Sequence, residues 1–94
     1  MSLDFKLADQ SSSEGVSLSF SDYQKLEPSL NRLNAITGVT IDPYKNTRVH
    51  PQHSRVLQES IDMLCATGSD EIKRLSLLLA KAYLENLWIV AQGD

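Results

Sequence analysis

Residues 69–92 read SDEIKRLSLLLAKAYLENLWIVAQ, and what this stretch becomes decides the fold. Leu, Ala, Lys and Glu dominate it, with no Gly or Pro inside, a composition that favours helix. Ser69 suits an N-cap, because its hydroxyl can accept from an N–H of the first turn. Asp70 and Glu71 follow, where negative charge meets the positive end of the helix dipole. Gly93 lies just past the last apolar residues and fits a left-handed stop. The spacing predicts one long helix over 69–92.

Its apolar surface is broad. Stepping each residue by the helical angle, the apolar side chains sweep roughly 240°, whereas a helix covering one side of a small domain needs an arc of only a little over ~100°. Arg74, Lys81, Glu85 and Gln92 form the polar strip. Leu77, Leu84 and Trp88, next to Lys81, form an extra flank. Either earlier segments of the chain cover this flank, or a second chain does. The longest uncharged run is far short of the ~20 residues of a spanning helix, so no membrane role is expected.

The preceding helix is predicted over 51–66. Pro51 suits a first helical position, and Val56, Leu57, Ser60, Ile61, Leu64 and Cys65 share its inner face. Arg55 and Glu59 are spaced to pair outside. The short link Thr67-Gly68-Ser69 makes these two helices antiparallel neighbours. Residues 38–50 are expected to be a loop, with turn chemistry at Asp42-Pro43-Tyr44 and Lys45-Asn46-Thr47. A connection of that length is longer than usual between helices, and long ordered loops often carry function. A kinked helix is expected over 21–37. Ser21 caps it with Gln24 reaching back, Tyr23, Leu26, Leu30, Leu33 and Ile36 point inward, and Pro28 breaks or bends it. Gly38 stops it.

At the start, Leu3-Asp4-Phe5-Lys6-Leu7 and Val16-Ser17-Leu18-Ser19-Phe20 alternate apolar with polar, the mark of strands with one buried face. A polar run separates them. Residues 1–20 are therefore expected to form a β-hairpin whose apolar face, Phe20 included, lies on the helices. The fold class expected is α+β: an N-terminal hairpin on a three-helix layer with a long, mostly buried C-terminal helix, in one small domain over 1–94.

The 94 residues are 41% hydrophobic and 22% charged, ordinary for a globular chain. Five acids against two bases up to Leu30 hold the whole net charge of −3, and the remainder is balanced. A basic patch for nucleic acid is missing, so none is expected as a partner. One cysteine, Cys65, rules out a disulfide framework within the chain and points to a reducing, cytoplasmic setting. No basic n-region precedes an apolar run, so no secretory signal is expected.

Chemistry-bearing patterns are few. His50 and His53 stand three apart at a helix start, but a metal site needs three or four ligands. Cys65 sits on an apolar face, where thiols are inert. No glycine-rich phosphate loop or nucleophile elbow is present. No enzyme activity, cofactor or metal is expected. Lys45, Arg48, His50, His53 and Arg55 cluster without an intervening acid and offer a contact for an anion or an acidic partner. The expected function is a protein–protein interaction module, a homodimer formed through Leu77, Leu84, Trp88 and Lys81. The alternative is a small acidic binder or inhibitor of another protein, of the antitoxin or immunity type.

Overall fold

A computed structural model describes residues 3–8, 15–42, 44–64 and 70–93. The chain is α+β. Its elements in order are β1 (Leu3–Leu7), β2 (Gly15–Leu18), α1 (Phe20–Thr37), β3 (Asn46–Val49), α2 (Pro51–Leu64), α3 (Asp70–Glu85) and β4 (Ile89–Gly93). The strands form one four-stranded sheet in the order β2-β1-β4-β3, and every pair is antiparallel.

The hairpin forms as its alternation requires. Leu3 faces Leu18 and Phe5 faces Val16 across β1 and β2. Leu3, Phe5, Leu7, Val16 and Leu18 are buried with Val49, Ile89 and Ala91 on the face that meets the helices. On the other face the Ser17 hydroxyl donates to the Asp4 carboxylate. Phe20 departs from the expectation: it is 52% exposed. The alternation stops at Ser19, not Phe20. Ser19 is extended (φ −73°, ψ 170°), and its hydroxyl accepts from the Asp22 N–H at 3.3 Å. Helix therefore begins at Phe20, two residues earlier than a cap at Ser21 would allow, and the Phe20 ring is carried off the core face.

α1 runs unbroken for 18 residues through Pro28. Proline removes one helical hydrogen bond, that to the carbonyl four residues before. Pro28 and Gln24 are both exposed, while Leu26, Leu30 and Leu33 are buried on either side of the proline. Ile36, expected inside, is exposed. Gly38 ends the helix as anticipated, at φ 78°, with its N–H donating to the Asn34 carbonyl at 2.8 Å.

The 38–50 connection is not all loop. The Asp42 carboxylate accepts from the Tyr44 N–H at 2.8 Å and the Asp42 carbonyl from the Lys45 N–H at 3.2 Å, a side-chain turn of the kind aspartate favours. The chain then enters β3. In α2, Leu57 and Ile61 are buried, but Leu64 is exposed, because the inner face runs out a turn before the helix does. Cys65, the 67–69 link and the Ser69 cap lie outside the described residues. Arg55 of α2 stands by Tyr83 of α3, and Asp62 by Ser76, so the two helices run antiparallel.

The largest correction concerns 69–92. Helix ends at Glu85, and the rest becomes a turn and β4. Asn86 takes the left-handed conformation at φ 57°. The Leu87 N–H donates to the Ala82 carbonyl at 2.8 Å, and the Asn86 N–H to the Tyr83 carbonyl at 3.4 Å. These two bonds are the pattern of a Schellman stop, which glycine favours and asparagine tolerates. Leu87 then packs on the core, the apolar contact that accompanies such stops. β4 runs back between β1 and β3, pairing with both.

Asn86→Ala is expected to lower the unfolding free energy by about 1 kcal/mol, since a Cβ-bearing residue without a compensating side chain resists the left-handed region. Asn86→Gly is expected to match or exceed the parent in denaturant titration. Equal losses in both variants would show that the left-handed stop is unimportant.

Candidate interaction surface

α3 buries Ile72, Leu75, Leu78, Leu79 and Ala82. At 3.6 residues per turn, Leu77 and Leu84 project roughly 150° away from Leu79. Both are open to solvent, at 72% and 77% exposure. Neither the hairpin nor any other described element covers them. Asp70, Lys73, Arg74 and Glu85 on the same side are exposed. Lys81 lies between the two leucines, half-buried and with a partner inside its own chain.

Trp88 does not share this row. It follows the helix stop, so its position is set by the turn into β4. Its ring is 45% exposed and stands edge-on to His50, with centroids 5.0 Å apart. Its carbonyl accepts from the Ala8 N–H at 2.9 Å. The expected flank is thus divided: Leu77, Lys81 and Leu84 remain together on α3, and Trp88 joins the start of α2.

The five basic and histidine residues are distributed over several elements. Lys45 precedes β3, and its carbonyl accepts from the Gly93 N–H at 3.0 Å. Arg48 is exposed on β3 opposite Val90. His50 caps α2. Its carbonyl accepts from the Ser54 N–H at 2.9 Å, and its Nδ1 accepts from the Gln52 N–H at 3.1 Å. One N–H that an anion at this helix start would need is therefore already taken. The His53 ring lies 5.7 Å from that of His50. Arg55 pairs with Glu59 at 3.1 Å, and its guanidinium stands 5.1 Å from the Tyr83 ring centre. Its pKa is raised further above the ordinary arginine value, first by the hydrogen bond to Glu59, then by Tyr83 and the Glu59 charge. Among the described residues, no group of three or more His, Cys, Asp and Glu is arranged to hold a metal ion. No described helix is long and apolar enough to cross a membrane.

A second feature escaped the sequence. A cleft of about 500 Å³ opens between α1 and the segment after Gly38, with Tyr23, Glu27, Thr40, Asp42 and Tyr44 among its lining. Asn34 braces its rim, donating to the Thr40 hydroxyl at 2.8 Å. The Tyr23 phenol is held above its ordinary value of 10.0, first by burial and then by the charges of Glu27, Asp42 and Tyr44. The turn residues at 42–47 signalled a built structure, but nothing local showed that α1 would supply the other wall.

Comparison with protein-family models, curated proteins and solved structures finds no match to this chain.

Two outcomes follow from these geometries. His50→Ala is expected to cost about 1 kcal/mol, as loss of an N-cap does, and His50→Asp to recover most of it; an equal loss in both would remove the capping role. The Tyr23 shift favours the folded state while the phenol keeps its proton. Its contribution is complete below the unfolded value near 10 and is lost as pH rises through the higher folded value. The melting temperature of the parent is therefore expected to fall more steeply than that of Tyr23→Phe as pH rises above about 10. Parallel curves would count against it.

Proposed function

We propose that this chain is a non-enzymatic protein–protein interaction module that pairs with a second copy of itself through the outer face of α3. The observation that carries this reading is the exposure of Leu77 and Leu84 at the centre of that face. They lie seven residues apart and so on one line along the helix. Burying a leucine side chain contributes about 1.5–3 kcal/mol. Two from each copy give roughly 6–12 kcal/mol gross, of the same order as the cost of association itself. The pair formed is accordingly weak and reversible.

The flanking charges favour an antiparallel arrangement, with Leu77 of one copy against Leu84 of the other. Arg74 and Glu85 lie on the same side of the leucine row and at its opposite ends. Reversing the second helix brings each Arg74 beside the other copy's Glu85. Glu85 stands in the last turn of its own helix, where no base offsets the negative end of the dipole. In the antiparallel pair it meets the opposite, positive half of the neighbouring helix. Lys81 falls near the dyad, where its stem adds apolar cover while its ammonium reaches the rim.

The acidic-binder alternative rests on the charge of the first thirty residues. The three of those five acids that lie in described residues serve separate places: Asp4 on the open face of the sheet, Asp22 at the cap of α1 and Glu27 at the cleft. Among the described residues, these three acids do not gather on one surface.

Sedimentation equilibrium on the parent is expected to give a mass that rises from one chain toward two with concentration. The double variant Leu77→Glu, Leu84→Glu is expected to stay monomeric with its melting temperature little changed, because exposed substitutions away from special features shift stability by about 0.5 kcal/mol or less. Arg74→Glu and Glu85→Arg are each expected to weaken the pair by about fivefold, and the double swap to restore it. A parent that remains one chain at the highest concentration would overturn the reading.

A further inference from the structure

We infer that the cleft between α1 and the segment after Gly38 is a recognition site for an organic cation, an alkylammonium group carried by a small amine or by a lysine side chain. Four side chains define its chemistry. Tyr23 and Tyr44 supply aromatic surface, and Glu27 and Asp42 supply negative charge. Leu30 and Ile41, both buried in the core, also contribute to the lining. Among the described residues, no lysine or arginine contributes to it.

This combination selects by exclusion. An anion is repelled by both carboxylates. A neutral apolar group gains the floor but nothing from the charges. A bare metal ion asks for several converging oxygens at short range, whereas this cleft offers carboxylates beside aromatic and aliphatic surface. An alkylammonium uses all three: its charge meets the carboxylates and the negative faces of the tyrosine rings, and its methyl or methylene groups cover the apolar floor. The volume of about 500 Å³ lies within the range of small-ligand sites.

The cleft is also held open by bonds made before any ligand arrives. Asp42 fixes the turn that presents Tyr44, through Oδ1 and the Tyr44 N–H. Asn34 ties α1 to the opposite rim through Thr40 and, at 3.4 Å, the Val39 carbonyl. Tyr23, Glu27 and Asp42 line the same cleft, and the charges of Glu27 and Asp42 help hold the Tyr23 phenol above its ordinary value. The turn-rich run Ile41-Asp42-Pro43-Tyr44-Lys45-Asn46-Thr47 acquires a purpose on this reading: it places a carboxylate and an aromatic ring two residues apart against a helix.

The test is an NMR titration of the intact, isotopically labelled chain with tetramethylammonium chloride, butylammonium chloride and N-acetyl-lysine methylamide. Sodium chloride at matched ionic strength and tert-butanol serve as references. Saturable shifts at the amides of Tyr23, Glu27, Asp42 and Tyr44 are expected, with millimolar dissociation constants. Tighter binding of the lysine derivative than of tetramethylammonium would assign the site to a protein side chain, and the reverse to a free quaternary amine. The double variant Glu27→Gln, Asp42→Asn keeps the shapes, and asparagine keeps an acceptor for the Tyr44 N–H. It is expected to weaken binding about tenfold, as is Tyr44→Ala. Repeating the titration on Leu77→Glu, Leu84→Glu separates the result from self-association. Shifts no larger than those with sodium chloride, or a double variant that binds as well as the parent, would overturn the proposal.

Discussion

The left-handed turn at Asn86 is the constraint on which the architecture rests. It stops α3 at Glu85 and sends the following residues back as β4. β4 then occupies a central place in the sheet, with β1 on one side and β3 on the other. Without it β1 would keep only its hairpin partner, and a two-stranded hairpin is marginal in water. β3, four residues long, would have no partner at all. Ile89 and Ala91 also complete the buried face begun by Leu3, Phe5 and Leu7. One backbone conformation at one residue thus joins the first strand to the last and closes the core.

The legible parts of this fold are those governed by local period. The two-residue alternation of 3–7 and 16–18 and the three-four spacing of 26–33 each report a face that is buried, and the structure buries it. Phe20 and Ile36 mark where such patterns overrun their elements. The 86–92 segment is different in kind. If α3 is continued at the helical angle, Ile89 falls near Leu78 and Ala82, and Val90 near Ile72. A strand with its own alternation therefore also satisfied the helical pattern. Asn86 and the β-branched pair Ile89-Val90 were the local evidence for the other choice. β3 is illegible for a dependent reason: a strand of four residues is recognisable only through its partner, and the partner's sequence also fits a helix.

The same division separates the two surfaces. Leu77 and Leu84 stand inside a regular helix, so their direction follows from spacing alone. Trp88 stands beyond the stop, so its place depends on the turn, and it meets His50 instead. The cleft unites Tyr23 and Glu27 with Asp42 and Tyr44. No period links positions about twenty apart, and only the docking of the post-Gly38 segment on α1 brings them together. Because the two surfaces are built on different elements, an occupant of the cleft need not displace a partner of α3.

Exposed leucine by itself asks for no explanation, since much of any protein surface is apolar. The arrangement on α3 asks for more. The core face of the helix is already filled by five side chains, and Leu77 and Leu84 lie outside it, largely exposed. Glutamate or lysine at those positions would serve helix propensity nearly as well while avoiding apolar exposure. A longer seam would repeat every three and four residues; here Ala80 and Lys81 occupy the intervening turn. In the proposed pair, that limits the apolar contribution to two side chains per copy and leaves orientation to the charges, which govern specificity more than strength. A surface of this composition suits an encounter that forms and dissolves with concentration rather than a permanent assembly.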